Sequence, residues 1–171
     1  MDQIVKAVVR VVFREGQSVP IIPGVFQLTY VHNAGAAFGL FPGRQPFFIA
    51  TSLAVLFVIA AYLRRARPTE WPVVVALGLV SAGAIGNLID RALIGQVTDF
   101  FDFTLIDFPV FNVADSAIVV GVGILAVWIL FGPQEDAEET ADPQDATEPL
   151  AEAAGPDDGA VHDELSESLR P

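Results

Sequence analysis

The chain has 171 residues, 53% hydrophobic and only 18% charged, with no cysteine and a formal net charge of -12. That charge is local: residues 1–132 carry eight acids against eight bases, whereas residues 133–171 carry thirteen acids offset by Arg170 alone. Without cysteine there is no disulfide framework, no thiol nucleophile and no thiolate-ligated metal, and a body so poor in charge is unlike ordinary soluble domains, where roughly 25% of residues are charged.

Residues 2–13 are apolar enough for a helix but too short to span a membrane. Asp2 and Lys6 stand at i and i+4, the helical spacing for a pair on one face. No long apolar stretch leads to a small-residue cleavage site, so the segment does not read as a signal peptide. It reads either as an interfacial helix or as the far end of a spanning helix that begins upstream of this reading frame. Residues 21–32 have strand character, with Phe26, Leu28 and Tyr30 alternating with Gln27, Thr29 and Val31 after a Pro23-Gly24 turn. Small residues crowd positions 33–39.

Three uncharged or nearly uncharged stretches follow at 46–63, 71–89 and 110–131, each close to the ~20 residues a helix needs to cross a ~30 Å hydrocarbon core. Three buried helices of a soluble all-α domain are disfavoured, because too few polar faces remain to coat such a core. Trp71 and Trp128 near segment ends suit interfacial anchors, and Arg64, Arg65 and Arg67 in the short loop between the first two stretches favour the cytoplasmic side. Residues 1–45 and 92–109 then lie outside the cell membrane and the acidic tail inside. A second short strand is expected at 96–103, so that a small sheet sits on the outer surface.

The chemical signal is ionisable groups at membrane depth, which are expensive unless paired or facing water. Asp115 lies five residues into the third stretch, with Asn112 on the same helical face. The second stretch ends in the same pattern, Asn87-x-x-Asp90, followed by Arg91 and preceded by Gly83. Between them, Asp99 sits in Val97-Thr98-Asp99-Phe100. Two carboxylates at a partly dry site are the apparatus of aspartyl proteolysis, one as general base toward water and the other as hydrogen-bond donor to the carbonyl. Asp99 with Asp115 is the candidate dyad. Asp90-Arg91 reads as a structural ion pair, and Asp102 and Asp107 as solvated loop acids. Alternatives stay open: Asp115 as a helix-contact acid, Asp99 as a loop residue, a transporter relay through Asp115, Asp90 and Arg91, or a Ser–Lys dyad of Lys6 with Ser81 or Ser116. Transport is disfavoured because the acids cluster at one membrane face rather than the midplane. His32 and His162 are too far apart in sequence for a metal array, and no phosphate-binding glycine loop is present.

Five motifs in order, Asp2-Gln3-x-x-Lys6, residues 30–39 (YVHNAGAAFG), Gly83-x-x-Gly86-Asn87-Leu88-Ile89-Asp90-Arg91, Val97-Thr98-Asp99-Phe100 and Phe111-Asn112-Val113-Ala114-Asp115-Ser116, resemble those of the bacterial lipoprotein signal peptidases, the type II signal peptidase family. The resemblance covers the body from Asp2 to Asp115. It implies an α-helical transmembrane bundle of three complete spans plus a truncated first helix, with a small extracytoplasmic β-cradle at about 21–45 and 92–109. It also implies a cell-membrane aspartic endopeptidase, monomeric and in contact with membrane lipids, that cuts prolipoproteins before a diacylglyceryl-modified cysteine. Asp99 and Asp115 become its catalytic pair, with Asp2, Lys6, Asn33, Gly83, Asn87, Asp90, Arg91 and Asn112 lining or bracing the site. No cofactor or metal is implied, and no nucleic acid partner. Family members carry a full helix ahead of the Asp-x-x-x-Lys motif, whereas Asp2 follows the initiator directly, which anticipates a translation start placed too late. Residues 1–132 thus form the expected membrane domain, and 133–171, rich in acids, Ala and Pro, a disordered cytoplasmic tail.

Overall fold

The computed structural model describes residues 1–35 and 44–133. The acidic tail and part of the small-residue stretch at 33–39 lie outside the described residues. Four α-helices and a small sheet run in the order α1 (Asp2–Val12), β1 (Ser18–Ile22), β2 (Phe26–Asn33), α2 (Gln45–Ala66), α3 (Trp71–Leu93), β3 (Val97–Asp102) and α4 (Val113–Phe131), with a 3-10 turn at Thr104–Ile106 after β3. Helices α2, α3 and α4 are long and apolar enough to cross a membrane.

The helix ends follow local chemistry. Helix α2 continues through Arg64 and Arg65, three residues beyond the predicted stretch, because arginine is a good helix former and its charge suits the last turn. It stops at Arg67, whose backbone is left-handed at φ 46°, just before Pro68. Pro72 occupies the first turn of α3, where a missing amide hydrogen costs little. Helix α3 likewise runs past Asp90 and Arg91 to Leu93. The third span begins later than the predicted residue 110: Val113 is its first helical residue, because Asn112 caps it. The Asn112 side chain accepts from Asp115 N at 3.0 Å, and the Asp115 carboxylate accepts from Asn112 N at 3.1 Å, a reciprocal capping box.

Strand β2 is central in the sheet order β1-β2-β3, and both pairings are antiparallel. The alternating stretch at 21–32 therefore resolves into the end of β1, a turn around Pro23-Gly24, and β2. Strand β1 itself starts at Ser18, ahead of the predicted cradle, where Ser18 Oγ and Thr29 Oγ1 bond across the hairpin at 2.9 Å. The expected strand at 96–103 is β3. Its outer edge is bridged by Phe111, whose N donates to Phe101 O at 3.0 Å while its O accepts from Phe101 N at 2.8 Å. That bridge draws the start of α4 against β3.

Two apolar clusters hold the body together. Ile59, Val73, Leu77 and Val80 pack with Leu125 and Trp128 between the spans, and Val9, Tyr30 and Phe100 join α1 to the sheet. Helices α3 and α4 approach closely at small residues. A Cβ added at Gly121 would stand 2.7 Å from Ala76 O, and one at Gly83 would collide with Ala114 O and Ile118 Cγ1. Such contacts replace the hydrophobic drive that lipid does not supply. Outward, Phe57 on α2 and Val119, Ile129 and Leu130 on α4 are exposed, apolar surface suited to lipid rather than water.

Candidate active site

The end of the spans away from the Arg64–Arg67 loop gathers polar side chains from α1, β2, α3, β3 and α4. Strand β3 carries Asp99, which is 2% exposed. Its Oδ1 accepts from Asn112 Nδ2 at 2.6 Å and its Oδ2 from Asn33 Nδ2 at 3.0 Å. Asn33 Oδ1 in turn accepts from Gly35 N at 2.9 Å, which sets the Asn33 amide with its nitrogen toward the acid. Asp115, half-buried at the third position of α4, accepts from Asn87 Nδ2 at 2.7 Å on Oδ1 and from Asn112 N on Oδ2. Asn112 Nδ2 also reaches Asn87 Oδ1 at 3.1 Å, so the two asparagines link the two carboxylates. Burial pushes the Asp99 carboxyl up to about 7; the nearby Asp115 charge adds to the rise, while hydrogen bonds from Asn33 and Asn112 and the Lys6 charge oppose it.

Asp99 and Asp115 face one cavity of about 530 Å³. Asn33, Asn87 and Arg91 share its polar end, and Phe108, Phe111, Ile118 and Val119 make most of the rest apolar. Arg91 Nη2 donates to Gly35 O at 3.3 Å, and its guanidinium lies over the Phe48 ring at 5.1 Å. Gln45, at the first turn of α2, donates to Arg91 O and ties that helix to the same end.

Behind the cavity lies a second, charged layer. Lys6 is fully buried and its Nζ sits 3.1 Å from Asp2 Oδ2, 2.9 Å from Asp90 Oδ2 and 2.9 Å from Asn87 Oδ1. Asp2 Oδ1 accepts from Ala114 N at 3.0 Å, pinning α1 to the first turn of α4. Gly86 leaves room for this contact, since a Cβ there would stand 2.6 Å from Asp2 Oδ2.

The expected Asp90–Arg91 ion pair is not made. Asp90 turns inward, accepting from Thr98 N at 3.1 Å and Gln3 Nε2 at 3.0 Å beside Lys6, while Arg91 points into the cavity. Adjacent residues on a helix diverge by about 100°, so neighbours in sequence do not face each other. Asp102, expected as a solvated loop acid, sits instead at the end of β3 and accepts from Gln27 at 2.7 Å and Thr29 at 2.6 Å. Ser81 and Ser116 make no contact with Lys6, whose three partners are all acceptors from Asp2, Asp90 and Asn87. Sequence reasoning missed Gln3, Arg10 and Thr98. Arg10 Nη1 donates to Thr98 Oγ1 at 2.9 Å and lies 3.6 Å from Asp90 Oδ1. The signal was present: Asp2, Lys6 and Arg10 recur every four residues and share one helix face. Among the described residues, no group of three or more His, Asp or Glu side chains is placed to hold a metal ion.

Fold and site together define a multi-pass membrane protein with two carboxylates, linked through Asn87 and Asn112, at a largely apolar cavity at one end of its spans. Residues 1–131 match the family described as signal peptidase (SPase) II. The chain is 47% identical over 139 residues to a lipoprotein signal peptidase of Desulfitobacterium hafniense (strain DSM 10664 / DCB-2), covering 81% of this chain and 89% of that protein. It is 49% identical over 125 residues to one from Brevibacillus brevis, covering 73% and 84%. A solved bacterial membrane enzyme superposes with a TM-score of 0.74 at 32% identity, covering 82% of this chain and 87% of that one. The chain belongs to the signal peptidase II family.

Proposed function

We propose that this protein is an aspartic endopeptidase of the bacterial inner membrane that removes signal peptides from prolipoproteins, cutting on the amino side of a diacylglyceryl-modified cysteine. Asp99 and Asp115 are its catalytic pair. The observation that carries this reading is the coupling of the two acids at one cavity: Asn112 donates to Asp99 at 2.6 Å and caps Asp115 in the same turn.

The two acids differ in a way that suits different tasks. Asp99 is the desolvated member and holds its proton near neutrality. It donates to the scissile carbonyl oxygen, while Asp115, less buried, takes a proton from the attacking water. As the tetrahedral state collapses, the proton acquired by Asp115 passes to the amide nitrogen of the leaving strand, and Asp99 regains its own. Charge developing on the carbonyl oxygen is met in an apolar cavity where a fixed donor acts more strongly than in water. The apolar cavity wall and the lipid-facing surface beyond it suit acyl chains, and Arg91, free of an acid partner on its own turn, offers a donor fork to a backbone or ester carbonyl. Asp2, Lys6, Asn33, Gly83, Asn87, Asp90 and Asn112 brace the pair rather than react.

The Arg64–Arg67 loop supports an orientation with that loop and the acidic segment beyond residue 133 in the cytoplasm, and the cavity at the outer face. The protein acts as a monomer on this reading, since both acids come from one chain. Turnover of a diacylglyceryl-modified prolipoprotein peptide by wild type, Asp99→Asn and Asp115→Asn is the direct test. Both variants are expected to lose at least about 1,000-fold in kcat. Turnover retained by either one overturns the dyad.

A further inference from the structure

Lys6 stands behind the two carboxylates rather than in the cavity. An ammonium carries three donors and no acceptor, and Asp2, Asp90 and Asn87 exhaust them. Two of these partners are carboxylates, which offer oxygen whichever way they turn. The third is an amide with two unlike ends. Facing a group that only donates, Asn87 has to present its oxygen, and this turns its nitrogen onto Asp115 Oδ1 at 2.7 Å. Asn112 continues the same logic. Its oxygen is taken by the donor-only Asp115 N at 3.0 Å, so its nitrogen is left to divide between Asn87 Oδ1 and Asp99 Oδ1. Asn87 Oδ1 thus has two donors, of which Lys6 is the charged and fully committed one. A positive charge on the oxygen also polarises the amide, strengthening the N–H that Asn87 offers on its other side.

The geometry points to Lys6 as a positioning residue for the proposed dyad, acting through Asn87: it holds and polarises that amide so that the carboxylate at Asp115 always meets a donor. The inference rests on the reading of Asp99 and Asp115 as the reacting pair. Lys6 itself touches neither acid and no substrate. The titratable groups facing this network are Asp2 and Arg10 on α1, Tyr30 on β2, Asp90 and Arg91 on α3, Asp99 on β3 and Asp115 on α4. A purely structural Lys6 would serve only to neutralise Asp2 and Asp90.

The test uses the full chain in lipid or detergent, with a diacylglyceryl-modified prolipoprotein peptide and kcat/KM measured against pH for wild type, Lys6→Met, Asn87→Ala and the double variant. Lys6→Met is expected to lose about 10- to 100-fold, the range for one hydrogen bond to a charged group, and to move the acid limb of the profile to higher pH, because the ionised base loses a polarised donor. In the Asn87→Ala background the same Lys6 change is expected to alter kcat/KM by less than about 3-fold, since the route is already cut. An unmoved acid limb in Lys6→Met, or equal losses in both backgrounds, overturns the inference and leaves Lys6 as a packing residue. Should Lys6→Met fail to fold because Asp2 and Asp90 lose their counter-ion, Lys6→Met with Asp90→Asn restores the charge balance and is compared with Asp90→Asn alone on the same criteria. Asp99→Asn and Asp115→Asn in the same assay separate the two failures. Activity in either defeats the dyad and the inference with it, whereas two inactive aspartate variants beside an additive Lys6–Asn87 cycle defeat the inference alone.

Discussion

Replacing Asp99 by asparagine should make the protein more stable at alkaline pH, because Asp99 is held where its charge is poorly solvated. Its carboxyl titrates at about 7 in the fold against 3.8 for the ordinary group. Between those values the folded protein binds one proton more than the unfolded chain, so stability falls as pH rises, by about 1.4 kcal/mol for each unit. Across the roughly three-unit window the loss reaches about 4 kcal/mol and is complete above the folded value. The substituted amide would carry no such charge and would not titrate. It would forfeit one interaction, because its own nitrogen would face Asn33 Nδ2, whose amide is held in place by Gly35 N. That costs about 1 kcal/mol. Asp99→Asn is therefore expected to exceed wild type by about 3 kcal/mol at pH 8.5, the advantage shrinking through pH 6 and turning into a deficit of about 1 kcal/mol near pH 4. Thermal unfolding in detergent, followed by the fluorescence of Trp71 and Trp128 from pH 4 to 8.5, reads this directly. A stability difference between the two proteins that does not change with pH would refute the argument that burial governs Asp99.

The same group sets an expectation for catalysis. If Asp99 donates to the carbonyl, kcat/KM should fall as pH rises through about 7, and a flat profile from pH 6 to 9 would assign the donor elsewhere. Gly83→Val should separate α3 from α4, because even its Cβ meets Ala114 O and Ile118 Cγ1; a loss of about 2–3 kcal/mol in unfolding free energy is expected, with activity falling in parallel because Asn87 and Asp115 sit on those two helices. Wild-type unfolding temperature in that variant would show that the helices have room to part.

The spans were legible because membrane crossing is a local property: about twenty uncharged residues suffice to mark α2, α3 and α4 whatever they pack against. Their ends were less legible. Helix α4 starts at Val113 rather than 110 because Asn112 and Asp115 exchange hydrogen bonds, and α2 continues through two arginines that a hydropathy reading treats as a stop. The strand character of 21–32 was visible from its alternation, but β1 was not, since Ser18 to Pro20 have no apolar period and gain their place only by pairing with Gln27 to Thr29. Among the polar residues, spacing found Asp2 with Lys6 and Asn112 with Asp115. It misjudged Asp90 with Arg91, whose side chains leave the helix in different directions for different partners.

Residue types and their local spacing were enough to mark three stretches able to cross a membrane among the described residues, and acids where acids are costly, because both follow from the free energy of placing single side chains in hydrocarbon. Which acids meet is another matter. Asp99 and Asp115 are brought together by the Phe101–Phe111 bridge that lays the start of α4 along β3, and by two asparagines, Asn87 and Asn112, from different helices. The buried Lys6 reaches Asn87 where Gly86 admits Asp2 against α3 and α4. Those contacts join residues from different elements, from 13 to 112 positions apart for the side-chain bonds, and their strength comes from shared burial, which exists only once the helices and the sheet have closed around them.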